Sequence, residues 1–130
     1  MSDTTSWATK ITAITVLADD LEAAKDFYQR VFGLPVHFEG DTSAVFLFGE
    51  TMINLLTPSQ GPELMDPSPI APADAGHRQV FTITVDDVDA KVAELQSLGV
   101  ELLNGPIDRP WGIRTASFID PAGIIWEIAT

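Results

Sequence analysis

The chain has 130 residues, 45% of them hydrophobic and 20% charged. That suits one compact domain with a buried core and excludes a disordered chain. Its 19 acidic and 7 basic residues give a formal net charge of -12, a surface that repels nucleic acid and anionic membranes and attracts small cations.

No apolar stretch nears the roughly 20 residues that span a bilayer. The opening MSDTTSWATK has no apolar core of the secretory kind, and there are no cysteines, so a cytoplasmic protein without disulfides is expected. The first strand signal is ITVL (14–17), followed by Asp19-Asp20. Leu21, Ala24, Phe27, Tyr28 and Val31 then recur at helical spacing and Gly33 follows, which predicts a helix with an acidic N-terminus and a glycine stop. A short strand is expected near Val36-His37-Phe38. SAVFLF (43–48) and TMINLL (51–56) flank Gly49-Glu50 and read as a tight hairpin. Residues 57–78 hold five prolines and two glycines, the composition of a linker or flap rather than a regular element.

The second half repeats the first. FTITVDDVDAK (81–91) matches ITVLADDLEAA (14–24) at a spacing of 67 residues. Asp86-Asp87 precede a helical pattern of Val88, Val92, Leu95 and Leu98, and Gly99 follows it. A short strand is expected at Val100-Glu101-Leu102, and a loop, GPIDRPWGIR (105–114), leads into GIRTASFI (112–119). The Asp120-Pro121-Ala122-Gly123 turn and IIWEIA (124–129) close the chain. The order is β-α-β-β-β, twice, in one domain over 1–130: module one at about 10–56, the flap at 57–78, and module two at about 79–130. One such module is too small to bury a core alone. The expected fold is α+β, two paired modules whose curved mixed sheets surround a cavity, with helices on the outside.

The duplicated order, the strand–Asp-Asp–helix ending in Phe27-Tyr28 and Gly33-Leu34, and the final DPAG-x-x-W-E-I resemble the vicinal oxygen chelate superfamily. That group includes glyoxalase I, extradiol dioxygenases, and fosfomycin- and bleomycin-resistance proteins; the likeness covers roughly residues 10–129. In its metal-dependent members four side chains, usually His, Glu or Gln, hold a divalent ion at the first and last strands of each module. The resemblance places those slots here at Ala13, Asn54, Val80 and Glu127. Ala and Val cannot ligate, and one carboxylate beside an amide is a poor transition-metal set; the expectation is no metal and no cofactor. His37 and His77 fall outside the slots and read as surface or loop histidines.

Strand alternation assigns faces. With Asn54 facing the cavity, Met52 and Leu56 join it; a two-residue Gly49-Glu50 turn pairs Asn54 with Val45 and brings in Leu47. Thr15 and Thr82 line up on the first strands. Placing Glu127 opposite Ala116 puts Arg114 and Phe118 on its face. Glu127 then has two readings, a partner of Arg114 or a ligand contact. Trp111 also has two, stacking on a planar ligand at the cavity mouth or packing on its own loop.

The resemblance implies two leading functions. One is a metal-free protein that, like the bleomycin-resistance branch, binds and sequesters a small planar or cationic, antibiotic-like molecule. The other is a glyoxalase-like lyase or isomerase with Glu127 as general base. It also implies a homodimer, often with exchanged strands, acting on a small-molecule ligand with no nucleic-acid or membrane partner.

Overall fold

Alternating apolar residues become eight strands in a computed structural model that describes residues 6–130. The start of MSDTTSWATK, residues 1–5, lies outside the described residues. Module one contains β1 (Ala13–Leu17), α1 (Leu21–Arg30), β2 (Phe38–Glu39), β3 (Ser43–Phe48) and β4 (Thr51–Leu56). A 3₁₀ turn (Pro58–Gln60) and a one-turn helix, α2 (Pro62–Met65), follow. Module two contains β5 (Val80–Thr84), α3 (Val88–Ser97), β6 (Leu102–Asp108), β7 (Arg114–Ile119) and β8 (Ile125–Ala129). The sheets are four-stranded and mixed, in the orders β1-β4-β3-β2 and β5-β8-β7-β6. The β1–β4 and β5–β8 pairs are parallel, so the duplication read in the sequence is a duplication of topology.

The paired aspartates work as caps. The Ala23 amide donates to Asp20 at 3.0 Å and the Ala90 amide to Asp87 at 3.1 Å, each filling an orphan donor of its helix. Several elements differ from expectation: the second strand falls at Phe38–Glu39 rather than near Val36-His37-Phe38, and the expected loop at 105–114 is strand as far as Asp108. The sixth strand begins at Leu102, because Val100 is spent ending α3: its amide donates to the Leu95 carbonyl past Gly99 in a left-handed turn at φ +85. The flap carries two short helical turns, since Pro58 and Pro62 stand at first-turn positions where a missing N–H costs nothing.

The helix-side faces of the two sheets share one aromatic core. Trp126 of β8 stacks on Phe48 of β3 with ring centroids 5.1 Å apart, and Phe27 of α1 lies 6.1 Å from Phe118 of β7. Tyr28 and Phe46 are fully buried within it, each contributing roughly 1.5–3 kcal/mol of burial.

Asp120, 3% exposed, is the core's one buried carboxylate among the described residues. Tyr28 Oη donates to its Oδ2 at 2.6 Å and Trp126 Nε1 at 2.9 Å. The Ala122 and Ile124 amides donate to Oδ1 at 2.8 and 3.0 Å. Four donors compensate the buried charge and tie module one's helix to module two's closing turn.

Burial, then the Asp120 charge, pushes the Tyr28 phenol well above its ordinary value. The folded chain therefore keeps this proton where an unfolded phenol, pKa about 10, would lose it. Stability is intact below about pH 10 and falls as pH rises beyond it. Tyr28 is the only tyrosine, so tyrosinate absorbance is expected to appear together with loss of circular dichroism during an alkaline titration. An ordinary phenol titration in the folded protein would contradict this.

Candidate ligand site on the open sheet faces

Each sheet keeps one face free of helices. On module one this face carries Ala13, Thr15, Val45, Leu47, Met52 and Asn54, as the observed pairs Thr15↔Asn54, Val45↔Asn54 and Leu47↔Met52 require. Asn54 sits at the centre of the patch, and its Nδ2 donates to Thr15 Oγ1 at 3.4 Å. On module two Glu127 occupies the matching centre, where Thr82 Oγ1 donates to its Oε1 at 2.9 Å. The two patches share one plan, a central polar side chain with a threonine beside it on the parallel strand. In one it is an amide, in the other a carboxylate.

The expected β7–β8 register is off by one residue. Glu127 lies opposite Ser117, not Ala116. The cause is the closing turn: the Gly123 amide donates to the Asp120 carbonyl, and Gly123 adopts φ +87. That is a type I turn followed by a left-handed glycine, a three-residue loop where a two-residue one was assumed. One residue of slip reverses every face of β7. Phe118, expected beside Glu127, points into the core at 1% exposed.

Arg114, also expected there, points to the helix side. It donates to Asp89 Oδ1 and Oδ2 at 3.0 and 2.9 Å and to Asp108 Oδ1 at 3.0 Å. This bond holds the Asp89 carboxyl below its usual range and raises the guanidinium further. The Arg114–Glu127 pair is therefore absent; no Lys, Arg or His among the described residues pairs with Glu127.

Ser117 is the residue that sequence reasoning missed on this face. The signal was present: a glycine closing D-P-A-G favours the longer loop. Two buried side-chain polar atoms among the described residues have no hydrogen-bond partner, Asn54 Oδ1 and Ser117 Oγ. Both belong to these two patches.

Parts of these faces are open to solvent in a single chain, while Thr115 and Ser117 of β7 are buried. Val80, at the start of β5, is 53% exposed, and Ile11, just before β1, is 63% exposed. Trp111 stands 69% exposed at the tip between β6 and β7, without an aromatic partner among the described residues. Nearby, Arg109 Nε donates to Thr115 Oγ1 at 2.9 Å. Trp7 is 92% exposed. His37 is exposed, and His77 borders a cavity of about 600 Å³ under the flap.

That cavity is walled by Leu17, Ile70, Ile119 and several prolines, with Asp19, His77 and Asp120 on its border. Asp120 on its border is already fully bonded within the protein. A crevice of about 330 Å³ between the modules reaches Thr82 and is lined by Phe48, Phe81 and Trp126. Apolar walls with sparse polar groups are the usual make-up of a small-molecule site; Thr51 and Thr82 supply the polar groups of this crevice, while Glu127 projects from the face of β8 opposite to Trp126.

The four slots Ala13, Asn54, Val80 and Glu127 hold one carboxylate and one amide, a donor set that does not fit a transition-metal ion. Among the described residues no three His, Asp or Glu side chains cluster tightly enough to hold one.

The sequence profile of the Glyoxalase/Bleomycin resistance protein/Dioxygenase superfamily matches residues 10–128. No curated protein matches the chain. Among solved structures, a glyoxalase/bleomycin resistance protein/dioxygenase from Nocardioides is 24% identical with a TM-score of 0.85, over 98% of this chain and 85% of that one. A lactoylglutathione lyase from Agrobacterium tumefaciens is 26% identical with a TM-score of 0.75, over 95% of each chain. A glyoxalase-related enzyme from Fulvimarina pelagi is 24% identical with a TM-score of 0.78, over 93% of this chain and 87% of that one.

Proposed function

Because the chain belongs to the Glyoxalase/Bleomycin resistance protein/Dioxygenase superfamily, we propose that its open sheet faces bind and sequester a small planar or cationic, antibiotic-like molecule, without a metal. The observation that carries this reading is Glu127: a carboxylate hydrogen-bonded by Thr82 but with no cationic partner among the described residues. A positively charged ligand supplies the missing charge, and the net charge of -12 raises its local concentration. Capture changes no bond; protection scales with protein concentration and affinity.

The exposed apolar residues of both faces suit closure by a second copy in a cytoplasmic homodimer, one chain's Asn54 patch meeting the other's Glu127 patch. Trp111, free at its loop tip, is placed to stack on a flat ligand.

The likeness to a lactoylglutathione lyase favours a second reading. In that reading the protein is a metal-independent lyase or isomerase and Glu127 takes a proton from the substrate.

Titration with a panel of cationic aromatic compounds, followed by tryptophan fluorescence, is expected to give at least one saturable, tight binder. Elemental analysis of the same protein is expected to find no stoichiometric Zn, Ni, Mn or Fe. A flat fluorescence response together with turnover of a small carbonyl substrate would favour the enzyme, and a bound metal in the cavity would overturn the metal-free claim.

A further inference from the structure

Among the described residues, two buried side-chain polar atoms lack a partner, and neither lies in the shared aromatic core. Ser117 is paired across strands with Glu127, and Asn54 stands at the matching centre of the other module. Buried polar atoms in native proteins are nearly always bonded, so two unbonded ones, one at the centre of a face and one opposite the centre of the other, call for a physical reason.

Resting on the capture reading above and on its closure by a second copy, which brings one chain's Asn54 patch to the other's Glu127 patch, we propose that Ser117 and Asn54 are contact residues of the ligand. With Glu127 they make the site prefer, among flat cations, those that carry N–H donors. The chemistry follows from what each group has left to offer. Glu127 is an acceptor only, and Thr82 has already spent its proton on Oε1. The Ser117 hydroxyl, with no protein partner, is free to accept. Asn54 gives its Nδ2 to Thr15 and keeps Oδ1 unbonded. The acceptor role belongs to the orientation in which Nδ2 faces Thr15; the reverse orientation would leave the NH₂ unbonded instead.

Both atoms are shut off from solvent in the free chain. Ser117 reaches a ligand by turning about χ1 and Asn54 about χ2, changes between ordinary torsional wells. A ligand N–H that meets them removes a standing cost of the free fold, so the gain in affinity exceeds that of a hydrogen bond taken from water.

The test compares proflavine with acridine orange. Both are flat acridinium cations that share one ring N–H; the first adds two amino groups, the second two dimethylamino groups that carry no N–H of their own. Proflavine is expected to bind at least about tenfold more tightly. Ser117→Ala should weaken proflavine about tenfold and leave acridine orange nearly unchanged, and Asn54→Leu should act in the same direction. The free Ser117→Ala protein should melt at the same temperature as the parent or higher, since no protein bond is lost.

Equal binding of the two dyes would overturn this inference and leave capture standing. A preference for proflavine that survives in Ser117→Ala would assign it to the size of the methyl groups and overturn the donor argument. A lower melting temperature for free Ser117→Ala would mean the hydroxyl has a structural partner, which also overturns it. Failure of both dyes to bind would remove the capture reading and this inference with it.

Discussion

Asp120→Ala is expected to lower the free energy of unfolding by about 3–5 kcal/mol, the range for breaking a buried, compensated charge network. The substitution leaves Tyr28 Oη, Trp126 Nε1 and two backbone amides without their acceptor in the shared core. Each stranded donor carries its own desolvation cost, although local relaxation lets some of them recover water. A domain of this size is stable by only about 5–15 kcal/mol, so the loss takes a large share of the total.

The melting temperature should fall by roughly 10–20 °C. Asp120→Asn should be nearly as damaging. Its oxygen can still accept the two turn amides, but its NH₂ then faces the Trp126 indole, which can only donate. Tyr28→Phe removes one charge-assisted bond and should cost less, about 1.5–3 kcal/mol. Urea denaturation of the three variants checks the order. A loss of under 1 kcal/mol for Asp120→Ala would mean that the modules are held together by aromatic packing alone.

This network bears on the site as well as on stability. Trp126 and Glu127 are adjacent on β8 and point to opposite faces, so fixing the indole fixes the plane from which the carboxylate projects. The Asp120 turn also sets the β7–β8 register. A destabilised turn is therefore expected to disturb the pairing of Ser117 with Glu127 before it disturbs module one.

Much of the fold was legible because it was written twice. Helical spacing after Asp19-Asp20 recurs after Asp86-Asp87, and the second aspartate of each pair caps its helix. A pattern that appears once can be accident; one repeated in the same order constrains topology. The Gly49-Glu50 hairpin was equally readable, and its two-residue loop gives the observed Val45↔Asn54 pair.

The site was less legible for a local reason. The D-P-A-G turn can close with two or three loop residues, and that single choice decides whether Ala116, Arg114 and Phe118 or Thr115, Ser117 and Ile119 share a face with Glu127. The closing glycine points to the longer loop, and the backbone settles it, through Gly123 at positive φ and an aspartate that accepts from its own turn. The Arg114 bonds to Asp89 and Asp108 were out of reach for the same reason, since they exist only on the side to which the correct register turns the guanidinium.

Glu127→Gln separates the two functional readings, because glutamine keeps the shape and the Thr82 hydrogen bond while removing the charge. Thr82 Oγ1 can donate to an amide oxygen as it does to Oε1, and no ion pair is broken among the described residues, so stability should move by less than about 1 kcal/mol. If the protein captures a cation, affinity should fall about 10- to 100-fold, the worth of one charge-assisted contact.

The salt dependence should weaken at the same time. The parent loses affinity as ionic strength screens Glu127 and the surrounding acidic surface, whereas the variant loses only the surface part. If instead Glu127 is a general base, turnover should fall by about 10²- to 10⁴-fold while binding of the neutral substrate barely changes, because an amide cannot accept the proton. The two signatures differ in kind, equilibrium affinity with a salt slope against rate with unchanged KM. A variant that binds the cation as tightly as the parent would show that the carboxylate is only a structural partner of Thr82. The reading of Glu127 as counter-charge would then be withdrawn.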